Sequence, residues 1–166
     1  MQLIIMVEAN KKSKSDYMYV RSVINNYYKM RLFAIKPVYA GGKGNFENKK
    51  KEIEKLKKDY DGESFVLVVA DIDPANNPAN SLNDGIKQFC LENKYELAWM
   101  NLTIEDVFLK KIVDDDKSDV ATKYYSNVKK ADIEIINLRV VDPTKIKQSS
   151  NLLIVLDKLL KNYTLD

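Results

Sequence analysis

The sequence predicts an α/β protein built on one mostly parallel sheet with helices on both faces. Two short unbroken apolar runs, LIIMV at 3–7 and FVLVVA at 65–70, have the form of strands covered on both sides. Segments with apolar residues at helical spacing lie between such runs, and this alternation is what a parallel sheet with crossover helices requires. The 166 residues contain no internal repeat and no linker-like stretch, so they read as a single domain large enough to bury its own core.

The first strand is 3–7, followed by a loop rich in lysine and serine. Asp16 is placed to cap a helix whose inward positions are Val20, Val23, Ile24, Tyr27 and Tyr28. RLFAIKPVYA supplies a second strand, closed by the GGKGN turn. A charged helix over 46–60 carries the stripe Phe46, Ile53, Leu56 and Tyr60, and the third strand is 64–70. After it, Pro74 and Pro78 stop the strand and stiffen the loop. A helix over 81–93, a fourth strand in YELAWMNL and a helix over 104–113 follow. The remainder, about 115–166, is expected as a helical extension: a helix reaching 130, IEIINLRV as strand or helix, a break at Gln148, Ser149 and Ser150, and a closing helix over 151–163.

Composition narrows the chemistry. The chain has no histidine, so imidazole is absent as base, phosphate acceptor or metal ligand, and carboxylates, lysines and hydroxyls remain. Its single cysteine, Cys90, falls in a helical segment and is expected to be a buried small hydrophobe. No run approaches the ~20 apolar residues of a membrane span, and MQLIIMVE turns acidic too early for a signal peptide, so a cytoplasmic protein with no membrane partner is expected. A net charge of +3 is compatible with a nucleic-acid partner only if lysines gather on one face.

The stretch VLVVADIDPANNP raises the functional question, because a buried strand ends in two acids, Asp71 and Asp73. Residues two apart on an extended chain share a side, so these can aim together while Ile72 turns back to the core. Glu8 ends the first strand, and loops leaving the carboxyl ends of parallel strands converge on one edge. Three acids meeting there would repel one another, and a hard divalent cation relieves them while leaving positions open for phosphate oxygens. The alternative for each acid is an ordinary turn residue.

A strand ending in glutamate (LIIMVE), a helix, a second strand, a helix, and a strand ending in an acid pair (VLVVADID) resembles, over about the first two thirds of the chain, the Toprim domain of topoisomerases, primases and several nucleases. The glycine turn GGKGN and the later NLTIEDVFL look like those of small RloB-type and OLD-type Toprim nucleases of bacterial defence systems. The resemblance implies a Toprim-like, Rossmann-like fold and a metal-dependent nuclease that hydrolyses phosphodiester bonds of DNA or RNA with Mg2+ or Mn2+, in phage defence. Glu8 matches the Toprim glutamate and Asp71 and Asp73 the aspartate pair, while a hydroxyl-x-Glu element bearing on a second metal maps onto Thr103 and Glu105. Glu8, Asp71, Asp73 and Glu105 are thus the implied catalytic residues. A late lysine that stabilises the transition state has three candidates, Lys123, Lys129 and Lys130.

The family usually has glycine after the glutamate and a second acid shortly beyond; this chain reads EANKKSKSD, with Ala9 and then Asp16. That departure supports the alternative of a non-catalytic Toprim-derived module that binds nucleic acid or a partner. A phosphatase with an aspartate nucleophile is a further rival, but its DxD pair follows the first strand. Lys11, Lys12, Lys14 and Lys43 lie in loops expected to border the acids and are candidate phosphate contacts. KKKEIEKLKK reads as a solvated, salt-bridged helix, and the pairs Tyr27–Tyr28 and Tyr124–Tyr125 as interior residues ahead of base-stacking ones. The chain has no P-loop, so any ATP-driven step would fall to a partner ATPase or restriction-system protein; a homo-oligomer is equally compatible with the sequence.

Overall fold

β1 (Gln2–Val7) is buried along its whole length because it lies between two parallel neighbours, β2 (Ala34–Tyr39) and β3 (Ser64–Ile72). β4 (Glu96–Asn101) continues the sheet in parallel, and β5 (Ser149–Ser150) closes its edge antiparallel, giving the order β2-β1-β3-β4-β5. The computed structural model describes residues 1–73, 78–111, 113 and 115–165, and Pro74 lies outside the described residues. The expected mostly parallel α/β architecture is the one observed.

Alternation along the inner strands divides the interior in two. Leu3, Ile5, Val7, Leu67 and Val69 face α1 (Ser15–Tyr27), α4 (Ile104–Leu109), α5 (Lys117–Asn127) and α7 (Leu152–Leu159), which supply Val20, Val23, Ile24, Ile104, Val107, Ala121, Leu152 and Leu156. Ile4, Met6, Val66, Val68 and Ala70 face α2 (Lys50–Lys58) and α3 (Asn83–Asn93), which contribute Ile53, Ile86, Phe89 and Cys90. Burial pushes the Cys90 thiol up to about 12, as suits an unreactive packing residue. Among the described residues no helix is long and apolar enough to cross a membrane.

Several boundaries differ from expectation, each for a local reason. Asp16 lies inside the first turn of α1; the cap position is Lys14, and the Asp16 carboxylate turns back to the Ala9 N–H instead. The helix expected from 46 begins at Lys50, because the preceding residues form two short 3-10 turns that let Phe46 drop into the second core. β3 runs two residues past the expected 70 and includes Asp71. Ile72 does not return to the core: it is half-buried and lines a cleft at the strand end. α4 stops at Leu109, where Lys110 takes a left-handed conformation. IEIINLRV yields a short helix, α6 (Ile135–Leu138). The serines expected as a break are β5, and beside them the Asn151 amide accepts from Trp99 N–H at 2.8 Å and donates to Leu97 O at 3.2 Å, pairing with the β4 edge as a strand would. The segment from about 115 carries α5, α6 and α7 together with β5, and it closes the first core rather than extending from it.

The aromatic pairs are interior in large part. Tyr28 is buried and its hydroxyl donates to Asp157 at 2.6 Å, while Tyr124 packs 5.1 Å from Tyr19 and 5.8 Å from Phe108, ring centre to ring centre. Along α2 and the Lys49 that precedes it, the Lys49–Glu52 and Lys57–Glu54 pairs, at 3.4 and 2.8 Å, form the salt-bridged surface expected there, with a spacing of three residues instead of four.

Candidate metal centre

The strand order reverses between β1 and its two neighbours, so the crevice beyond the carboxyl ends of β1 and β3 is where an open α/β sheet binds ligands. Register and alternation decide what occupies it. Val7 pairs with Val69, so Glu8 is the first residue past the β1 ladder and Asp71 stands two residues further along β3. Asp71 continues the row of Leu67 and Val69 and therefore points to the face of α1 and α4. Glu8 bends across the strand end, where its Oε1 accepts the Asp71 backbone N–H at 2.8 Å.

Two further acids come from that helical face. Asp16, in the first turn of α1, accepts from Ala9 N–H at 2.8 Å and from the Ser15 hydroxyl at 3.0 Å. Ala9 thus takes part through its backbone, without the left-handed conformation that would demand glycine. Glu105, in the first turn of α4, is 2% exposed; its Oε2 lies 3.6 Å from Lys117 Nζ, and its Oε1 is buried with no partner among the described residues. Thr103 caps α4, its Oγ1 accepting from Asp106 N–H at 3.2 Å.

Lys43 and Asp73 form a second layer beside this group. Gly41 and Gly42 have φ of +71° and +125°, and the Gly42 N–H donates to Glu8 O at 2.9 Å, tying the GGKGN turn to the end of β1. The turn drives Lys43 inward: it is 7% exposed, and its Nζ donates to Asp73 Oδ2 and Asp71 O, both at 2.6 Å. Lys43 does border the acids, but as a buried ion-pair partner instead of an open phosphate contact. Lys11, Lys12 and Lys14 are exposed in the loop leaving β1, which Asn10 organises by accepting from the Lys12 and Ser13 N–H groups. Lys123, Lys129 and Lys130 are exposed on and after α5; the late lysine that meets an acid of the cluster is Lys117.

Crowding and burial show in the proton affinities. Loss of solvent raises the Glu8 carboxyl to about 7, opposed by the Asp71 N–H and the Lys43 charge and reinforced by Asp16 and Asp73. Burial also holds Asp71 well above the ordinary carboxylate range, and Glu8, Asp16, Glu105 and Asp73 add repulsion. Asp16 is raised for the same first reason, with Glu105 adding to it and the Ala9 N–H opposing. Glu8, Asp16, Asp71 and Glu105 therefore feel one another, although they come from four different elements.

No family model, curated protein or solved structure matches this chain. What the site can do follows from its own chemistry. Among the described residues no three carboxyl or thiol groups stand at metal-ligand spacing, so the acids form a cluster tied down by N–H groups and lysines and not a finished cage. The donor type is the one a hard divalent cation takes: oxygens alone, three of whose carboxyls are driven toward protonation by burial and repulsion, with Glu105 Oε1 buried and without a partner among the described residues.

Sequence reasoning leaves two things out and one ambiguous. Asp16 can be read as a helix cap or as the later acid of the Toprim pattern, and the Ala9 contact shows that its carboxylate does not serve as the cap. The buried Lys43–Asp73 pair had only the GGKG turn as its signal. Lys117 had none, because its contact with Glu105 depends on how α5 docks against α4.

Proposed function

We propose that this chain is a metal-dependent phosphodiesterase acting on DNA or RNA, a nuclease of the Toprim kind, centred on Glu8 and Asp71. The observation that carries the reading is the Glu8 carboxylate bonded to the Asp71 N–H at 2.8 Å, which joins acids 63 residues apart at the switch point of the sheet. Glu8 and Asp71 would hold Mg2+ or Mn2+, with Asp16 and Glu105 adjoining. When bound, the ion supplies a Lewis acid for a phosphoryl oxygen and a water of lowered pKa.

The chain's own residues have distinct tasks in this reading. The Asp71 and Ala9 N–H groups aim Glu8 and Asp16. Lys43 pins the end of β3 through Asp71 O and Asp73 Oδ2, so the acids sit on a fixed support. Lys117 steadies Glu105, and Lys11, Lys12 and Lys14 are available to phosphates arriving over the β1 loop.

One observation favours a second reading. The Lys43 ammonium already pairs with Asp73 at 2.6 Å, which supports a Toprim-derived module that binds without cleaving. Labelled single- and double-stranded DNA and RNA, incubated with Mg2+, Mn2+ or chelator, separate the two readings. Metal-dependent cleavage that falls to background in Asp71→Asn is the expected result; intact substrates under every condition would leave the binding module.

A further inference from the structure

Two ammonium groups are built into the acid edge. Lys43 Nζ lies 2.6 Å from Asp73 Oδ2 and 2.6 Å from Asp71 O, and both side chains of the pair are largely buried. Lys117 Nζ stands 3.6 Å from Glu105 Oε2 with its own side chain half exposed, so solvent screens that pair more strongly. Among the described residues Glu8, Asp16 and Asp71 form no ion pair, and burial drives all three toward protonation. The five carboxyls thus divide into two that face an ammonium and three that face one another. Lys43 is also fixed through its backbone. The Gly42 N–H bonded to Glu8 O ties the turn to the end of β1, Asn45 Nδ2 donates to Gly41 O at 3.2 Å, and Phe46 is buried in the second core. Moving the ammonium aside would leave a largely buried carboxylate without its partner, so an arriving ion does not displace it cheaply.

We propose that this centre takes a single divalent cation, on Glu8 and Asp71, and that the Lys43 ammonium stands in for a second ion, with Asp73 as its counter-ion and outside the ligand set. The proposal rests on the metal-dependent reading of the acids and narrows it. A two-ion centre of the kind the Toprim resemblance implies would draw on Asp73, Thr103 and Glu105. Each has another engagement here: Asp73 Oδ2 accepts from Lys43, Thr103 Oγ1 accepts the Asp106 N–H, and Glu105 Oε2 faces Lys117. What remains suits one hard ion, since Mg2+ takes one or two carboxylates and completes its shell with water. Lys43 is then a positioning residue. It holds the end of β3 through Asp71 O, and its charge opposes protonation of Glu8 as a neighbouring cation would.

The test counts ions. Full-length protein at about pH 7.5 is titrated with Mn2+, the free ion is followed by electron paramagnetic resonance, and the fold of each variant is verified by circular dichroism. Wild type should take up one Mn2+ per chain. The double change Lys43→Met with Asp73→Asn removes the pair without altering the net charge, and it should still take up one Mn2+ with an affinity within about threefold of wild type; were Asp73 a ligand, uptake would weaken by about a hundredfold or more. Lys43→Ala leaves Asp73 without the ammonium and makes room beside it, so this variant should take up two. A lysine with a merely structural role predicts the opposite sign, because its loss would loosen Asp71 and weaken uptake. Two ions in wild type, an uptake weakened about a hundredfold in the double variant, or a folded Lys43→Ala that takes up one ion or fewer would each overturn the proposal, and the first two decide it even if Lys43→Ala does not fold. One ion per chain without cleavage of DNA or RNA upholds the single-ion centre and removes the nuclease; two ions with cleavage does the reverse, and no uptake by wild type overturns both.

Discussion

Replacing Glu8 by Gln should stabilise the metal-free protein at about pH 8 and change little at about pH 4. The direction follows from where the carboxyl keeps its proton. A group that holds its proton to about 7 in the fold but releases it near 4.5 in the unfolded chain contributes fully below 4.5 and loses that contribution as the pH climbs to 7. The loss is on the order of 3 kcal/mol for full burial, and about 2 kcal/mol once screening at a half-buried position is allowed for. Gln keeps the amide oxygen that accepts the Asp71 N–H and never acquires the charge, so it removes the penalty and retains the bond. Thermal unfolding by circular dichroism in chelator, from about pH 4 to pH 8, should show the wild-type Tm falling below that of Glu8→Gln by roughly 4–8 °C at the upper end. Parallel curves for the two proteins would refute the argument, since Glu8 would then carry no buried, repelled carboxylate.

Lys43→Met should destabilise the fold by about 3 kcal/mol in chemical denaturation, because it removes the buried ammonium that bonds both Asp73 Oδ2 and Asp71 O; the double change Lys43→Met with Asp73→Asn should recover part of that loss. Gly42→Ala should cost about 1–3 kcal/mol by the same measurement, since φ of +125° is a region that side-chain-bearing residues rarely adopt. Cys90 should resist a thiol reagent such as dithionitrobenzoate in the native protein and react on addition of denaturant, because its thiol is buried and its pKa stands at about 12.

Much of the architecture was legible because the inner strands are unbroken apolar runs. The runs 3–7 and 64–70 needed no tertiary information to be read as strands covered on both faces, and their ends delivered Glu8 and Asp71 to one edge. What stayed hidden depended on contacts between distant segments. Ser149–Ser150 is a two-residue strand whose only reason to exist is the free edge of β4, so no periodicity could announce it. Asp16 satisfies the usual preference for an acid near a helix start, and only the Ala9 N–H reveals that its carboxylate is turned toward the cluster. The Toprim resemblance pairs Thr103 with Glu105, yet the hydroxyl caps its helix through Asp106 while Glu105 faces inward to Lys117. Lys43 shows the converse: a lysine in a glycine turn suggests an exposed phosphate contact until the turn is seen to fold it beneath Asp73.

The most direct test is whether acids from separate elements bind one divalent cation together. Mn2+ titrated into the protein at about pH 7.5 and followed by the electron paramagnetic resonance of the free ion should be taken up saturably, since oxygen-only carboxylate sites accept Mn2+. Uptake should be lost in both Glu8→Gln and Asp71→Asn, with the fold of each verified by circular dichroism. Uptake that is unchanged in either variant, or absent from the wild type, would contradict the account.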